Sequence, residues 1–356
     1  MLKRIIFIIL IFSFVINLNS QNDYNKLKFG AYYFDGWDGA PKHLTLELIN
    51  NKNREPIWGW QTSTYEIVKK QVGLAYNSGL KFFTFCWYHK ESENSKIGGN
   101  KLNNALKYYI QSQDYSGFEF NIMVVNHGTY SLNKKDWPGL VDYWTELFRQ
   151  KNYLKVEGRP LIVFYDFNKL IESFGSRRKL NKALKYFRKT VNKKGFSGVS
   201  IAISSSILIE IHDELKKTDF DIFTTYNDHS VLLKKQNYRN AIEDEKRSLN
   251  FNTNEQLNIW SSNSTLTKLP IIPTITLNWD DSPWKKGKIV PNFGKYSEET
   301  IFRSIKLSKE WLKTNKIKLT KERLVLIYSW NEYGEGAWLT PSKDGFNPLS
   351  GLKKGI

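Results

Sequence analysis

The sequence predicts a single (β/α)8 barrel behind a cleavable N-terminal segment. Eight short apolar runs recur along the chain, and amphipathic helical stretches separate them. Each run is almost continuously apolar, as strands of a parallel sheet buried on both faces are. The chain has 356 residues, which suits one barrel of about 250 residues with insertions. An open doubly wound sheet is the competing arrangement. It often places a Gly-rich phosphate fingerprint after the first strand, and none stands there.

The elements follow in order. Residues 1–20, within "MLKRIIFIILIFSFVINLNSQ", read as a secretory signal peptide. Lys3 and Arg4 form its basic start, the apolar stretch runs from Ile5 to Ile16, and Ser20 suits cleavage. A membrane anchor is the other reading, but the apolar run falls short of the roughly 20 residues of a bilayer span. The expected mature domain, 21–356, is therefore periplasmic or secreted, with no stable membrane anchor. Its only cysteine, Cys86, lies in an apolar run, so stability must come from the core rather than an internal disulfide.

Strand one is expected at 27–34 ("LKFGAYYF"), followed by a helix at 64–79 that Gly79 stops. Strand two covers 80–89, a helix "KLNNALKYYIQS" follows, and strand three covers 118–127. Helix "WPGLVDYWTELFRQ" leads to strand four at 160–166, and a helix at 177–193 to strand five at 198–205. A weaker helix at 207–217 precedes strand six at 220–227. A basic stretch with helical character at 238–260 precedes strand seven at 270–279. A strong helix at 298–316 precedes strand eight at 324–330. The closing "NPLSGLKKGI" leaves room for a short last helix or none.

Chemistry in such a barrel collects at the C-terminal ends of the strands. Those ends hold Tyr33 and Trp37, Trp87 and His89, Asn126 and His127, Tyr226, Asp280 and Asn331. Aromatic faces beside Asp, Asn and His suit a sugar, with rings against its C–H patches and polar groups on its hydroxyls. Tyr33, Trp37, Trp87, His89, Asn126, Tyr226, Asp280 and Asn331 are the expected substrate contacts. Histidines 89, 127 and 229 lie at strand ends, but no H-x-H or H-E-x-x-H pair is present, and neither metal nor cofactor is expected.

The formal net charge is +18. Its lysines are scattered along helices without a nucleic-acid motif, so no nucleic-acid partner is expected. An exported basic protein can instead be steered toward an anionic polysaccharide.

Strand eight runs into "SWNEYGEGAWLTPS". Glu332 follows the strand directly and Glu335 stands three residues on, between Gly334 and Gly336, which permit a tight bend. Trp330, Tyr333 and Trp338 are expected to surround the pair. Burial and a second nearby carboxylate both raise a carboxyl pKa. Such a pair divides into proton donor and base near neutral pH, as glycoside hydrolysis requires. Glu332 and Glu335 are the expected catalytic residues.

This motif resembles that of the glycoside hydrolase family 99-like proteins, which include the WbsX-like group. The resemblance extends through "GAYYFDGW", "REPIWGWQTS", "KKQVGLAYNSGLKFFTFCWYH", "YLKVEGRPLIVFYD" and "TITLNWDDSPW" in the same order. It implies a (β/α)8 glycosidase that retains anomeric configuration. By that resemblance Glu332 deprotonates the sugar 2-hydroxyl to give a 1,2-anhydro sugar, and Glu335 acts as general acid and then general base. Family 99 proper has Trp and His where this chain has Tyr333 and Gly334, and an acid where it has Thr340. Those departures keep the carboxylate pair but not the features tied to α-mannosides, and "GEGAWLTP" is closer to the WbsX-like branch.

A secreted polysaccharide hydrolase is the expected function. A WbsX-like glycosyltransferase is one alternative, against which stand the export signal and the missing phosphate loop. A non-catalytic carbohydrate-binding barrel is another, and it would need no paired carboxylates. A metal-bearing hydrolase is a third.

Overall fold

The computed structural model describes residues 26–37, 43–90, 96–112, 117–206, 208–229, 245–250, 254–286, 288 and 290–356. The expected signal segment 1–20 lies outside them.

All eight expected strands form one parallel barrel. They are Lys28–Tyr33, Phe82–Tyr88, Glu119–Val125, Arg159–Phe164, Ser200–Ser204, Ile222–Thr224, a split seventh strand, and Leu324–Tyr328. The seventh strand is broken into Ile271–Ile272 and Thr274–Thr276 at Pro273, which has no N–H to give to a ladder. Its first half pairs with strand six and its second half with strand eight. Strand eight pairs with strand one from Lys28↔Leu324 to Ala31↔Ile327, which closes the ring.

Helices cover the outside, and their ends are written in local chemistry. The Thr64 hydroxyl caps Tyr65–Asn77, and Ser176 caps Arg177–Lys193. Ser297 and Thr300 form a reciprocal capping box on Glu298–Thr314. An additional helix, Phe167–Phe174, was not expected. Asp166 caps its start and Gly175 its end at φ 77°, so its signals were present but lay close after strand four. The chain does close with a short helix, Pro348–Gly355, packed on Glu298–Thr314.

Two apolar layers result. The outer one joins strand residues such as Tyr33, Phe85, Trp87 and Val124 to helix residues such as Val72, Leu106, Trp144 and Leu184. The inner one fills the barrel with Tyr32, Phe82, Cys86, Tyr88, Met123, Val163, Ala202, Leu326 and Tyr328. Along each strand, alternate residues enter alternate layers, as the two-residue period of a strand requires.

Candidate active site

The segment after strand eight folds back on itself. Asn331 pairs with Trp338 and Glu332 with Ala337 in a short antiparallel ladder. The hairpin is closed by a turn at Tyr333–Glu335 and by Gly336 at φ 78°, a left-handed conformation that favours glycine. Gly334 lies against the Trp284 indole so closely that a Cβ there would stand 2.1 Å from Cζ2. The two glycines around Glu335 therefore have separate purposes, one conformational and one steric.

The hairpin is clamped from both sides. The Asn331 amide bridges the backbone of Phe34, accepting from its N–H at 2.9 Å and donating to its carbonyl at 2.8 Å. Trp37 Nε1 donates to Asn331 O at 2.7 Å. Buried Arg54 donates to the carbonyls of Tyr333 (2.9 Å) and Asp280 (3.0 Å) and pairs with the Asp280 carboxylate. The Asp280 N–H donates to Glu335 O at 2.8 Å. These contacts hold the loop before any ligand arrives.

Glu332 is 4% exposed, whereas Glu335 is half-buried at the wall of a cavity of about 320 Å³. Tyr226 donates to Glu332 and Tyr328 donates to Glu335. Burial raises both carboxyls above the ordinary range, and the charge of Glu335 raises Glu332 further. Burial also pushes both phenols well up, so they remain protonated donors at neutral pH. Such a pair can hold one proton and one negative charge, which is the arrangement general acid–base chemistry uses.

Phe34, Tyr88, Val125, His127, Tyr165 and Trp284 line the same cavity. It adjoins a second hollow of about 210 Å³ at the ends of strands four to six, with Tyr165 and Tyr226 in the walls of both. That hollow carries Asp166, Asn168, Ser204, Glu210 and His229. Neither lining includes a Lys or Arg among the described residues. The charge behind the anionic-substrate expectation lies elsewhere, for example on exposed Arg178, Lys179, Lys182, Lys185, Lys189 and Lys193 of one outer helix.

The structure sorts the expected substrate contacts sharply. Tyr226 alone among the eight touches a carboxylate of the pair. Tyr33 and Trp87 are corrections: both lie fully buried in the layer between barrel and helices. Their chain neighbours Tyr32 and Tyr88 face inward. His89 lies beside Trp87, with Nε2 3.1 Å from Asp136 Oδ2. Asn126 donates to Asp166 O at 2.7 Å and accepts from the N–H groups of Tyr165 and Asp166, so it shapes the end of strand four. Trp37, Asp280 and Asn331 brace the hairpin rather than line the cavity. The aromatic surround is corrected likewise. Trp330 points outward and donates to Gln71, Tyr333 packs on Trp37 and bonds Thr340, and Trp338 donates to Ser342. Tyr165, Tyr226, Tyr328 and Trp284 take that place.

Sequence reasoning missed Tyr328, Tyr88, Trp284 and Arg54. Tyr328 stands inside an apolar run, where a tyrosine reads as core. Arg54 stood in "REPIWGWQTS", a motif with no role assigned. Its neighbours Lys52, Asn53 and Glu55 are polar, so nothing in its local sequence signals that it is buried.

The family model described as "Glycosyltransferase WbsX" matches residues 60–347. No curated protein matches the chain. A solved structure described as a glycoside hydrolase-like protein superposes with TM-score 0.66 at 15% identity, covering 92% of this chain and 93% of that one. The glycoside hydrolase family 99 endo-alpha-mannosidase of Bacteroides thetaiotaomicron gives TM-score 0.55 at 13% identity, covering 92% and 96%. The Prevotella bryantii endo-beta-mannanase/endo-beta-glucanase gives 0.53 at 11%, covering 94% of this chain and 49% of that one. At such identities the likeness is one of fold: this chain has a glycoside hydrolase-like barrel.

Proposed function

The chain belongs to the glycosyltransferase WbsX family, and we propose that it is a retaining glycoside hydrolase that cuts a polysaccharide outside the cytosol. The observation that carries this reading is the pair Glu332 and Glu335, both raised by burial, each holding a tyrosine donor, at one cavity wall. The pair shares one proton, and with that proton on Glu335, the member nearer solvent, Glu335 protonates the leaving oxygen as the glycosidic bond breaks. Glu332 takes the proton of the sugar 2-hydroxyl, whose oxygen closes on the anomeric carbon to form a 1,2-anhydro sugar. Glu335 then takes a proton from water, the water oxygen opens the three-membered ring at the anomeric carbon, and Glu332 returns its proton to the 2-oxygen.

The continuation of the cleft past Tyr165 and Tyr226 supports a substrate longer than one sugar. The acids in both linings favour a neutral polymer over an anionic one. They also favour hydrolysis over transfer from a nucleotide-sugar, because a diphosphate is bound by cations that these walls lack among the described residues. The export pattern of residues 1–20 supports the location.

The test is product release from a panel of α- and β-mannans, glucans and uronate-bearing or sulfated polymers. Wild type is compared with Glu332→Gln and Glu335→Gln. One polymer is expected to be cut, with each variant losing at least about 100-fold. Equal cutting by the variants would place the chemistry on other residues.

A further inference from the structure

A cavity of about 450 Å³ lies on the other side of the catalytic hairpin. It shares no lining residue with the carboxylate cavity. Its volume falls within the range of small-molecule sites, about 300–1,000 Å³. The hairpin itself forms the partition. The carbonyls of Tyr333, Glu335 and Gly336 accept from Arg54, from the Asp280 N–H and from Asn278 Nδ2. Arg54, Asp280 and Asn278 all line the far cavity. The Glu335 side chain and the Trp284 ring over Gly334 belong to the near one.

The chemistry of the walls selects the ligand. Amides come from Asn51, Asn53, Asn278 and Asn292, and aromatic surface from Tyr296 and Trp338. Amides offer a donor and an acceptor together, which matches a hydroxyl that does both. Asn278 Oδ1 is buried and has no hydrogen-bond partner among the described residues. The charges balance: Arg54 is paired with Asp280, and the lining holds one further cation, Lys295, and one further acid, Asp344. A free anion would meet two carboxylates there, and a cation would meet a guanidinium and an ammonium. A neutral polyhydroxyl ring avoids both conflicts.

We propose that this cavity is a second saccharide subsite, taking a neutral pyranose unit and held against the backs of the residues that brace the catalytic hairpin. The assignment of a sugar rests on the glycosidase reading, and the location rests on the cavity alone. An occupant here anchors the polymer beside the hairpin and contacts Arg54, Asp280 and Asn278 without touching either glutamate.

The test fills the cavity with Asn53→Trp, a substitution at an exposed position of the short 3-10 turn Lys52–Arg54, outside the hairpin. Asn278→Ala serves as the second variant, read by binding. The probes are the polymer that the wild type cuts and, independently, methyl mannoside, glucoside and galactoside titrated by calorimetry. Asn53→Trp is expected to raise KM for the polymer about tenfold with kcat within about twofold, the pattern of lost uniform binding. Both variants are expected to weaken the methyl glycoside about tenfold as well. A folded Asn53→Trp protein with unchanged KM and unchanged affinity overturns the subsite and leaves the hydrolase standing. Sugar binding that Asn53→Trp weakens, in a protein that cuts no polymer, keeps the subsite and removes the hydrolase reading. A protein that neither cuts nor binds any probe overturns both. If Asn53→Trp does not fold, unchanged glycoside affinity in Asn278→Ala overturns the subsite.

Discussion

Tyr226 donates its phenolic hydrogen to Glu332, from just past the end of strand six and 106 residues earlier in the chain. Its ring lies edge-on to Tyr328, centroid to centroid 5.0 Å, and Tyr328 donates to Glu335. The two tyrosines stand in the inner layer, with Tyr165 and Tyr32 packed on the other sides of Tyr226. Each carboxyl group is thus oriented by a ring that the barrel core immobilises. The Tyr226 hydrogen bond also opposes the upward pull of burial on Glu332, so this contact sets protonation as well as position.

Tyr226→Phe removes the donor and keeps the ring. Glu332 loses an interaction with its ionised form, and its pKa rises further. The expected result is a fall in kcat of about tenfold or more, with the acid limb of the pH–rate profile moved to higher pH. A uniform loss of rate with an unmoved limb would make Tyr226 a packing residue only.

The wild-type profile of kcat/KM is expected to be bell-shaped. The base must be ionised, and the acid must keep its proton. Burial raises both carboxyls, so activity is lost as pH falls through a value above the ordinary glutamate pKa of about 4.3. It is lost again as pH rises past the pKa of the acid. Rates measured from pH 4 to 9 on the cleaved polymer check this, and an acid limb at about 4.3 contradicts it.

Gly334→Ala places a methyl group inside the van der Waals envelope of the Trp284 indole. That ring is tethered, with Nε1 donating to His43 O at 3.0 Å, so it cannot swing aside without losing a bond. A destabilisation of about 1–3 kcal/mol is expected, together with loss of activity as the indole shifts in the cavity wall. Thermal melting and turnover report the two effects. A variant with wild-type Tm and rate would mean that Trp284 moves freely.

Asp228 is fully buried, and burial raises its pKa to about 7 despite the nearby Thr225 hydroxyl. In the unfolded chain an aspartate titrates at about 3.9. Between these values the folded protein holds more protons than the unfolded one, so stability falls as pH rises through that window. The full loss is on the order of 4 kcal/mol. Asp228→Asn keeps the shape of the neutral acid and removes the titration. Its Tm is expected to exceed that of wild type at pH 8 and to converge with it at pH 4. A lower Tm for the variant at pH 8 would show that the ionised carboxylate is stabilised where it stands.

The barrel was legible because its signal is redundant. Strands such as "LKFFTFCWYH" and "FEFNIMVVNH" are almost continuously apolar, and the helices between them carry a helical period with capping residues at their starts. That same redundancy hid the inside from the outside. A strand buried on both faces has no alternation to show which residues face the barrel axis. Tyr33 and Trp87 therefore read as well as Tyr32 and Tyr88, and a shift of one residue decided between the helix layer and the cavity.

The sequence alone determined the carboxylate pair, because two glutamates among glycines directly after a strand form a short, local pattern. It also determined the barrel, because eight repeated apolar units need no long-range information to be counted. Tertiary structure alone decided what surrounds the pair. Tyr226, Tyr165, Trp284 and Arg54 come from separate strand ends and loops, and nothing in their local sequence reports how barrel closure brings them together. Closing strand eight onto strand one sets which side chains share the mouth, and that is a property of the whole ring rather than of any segment.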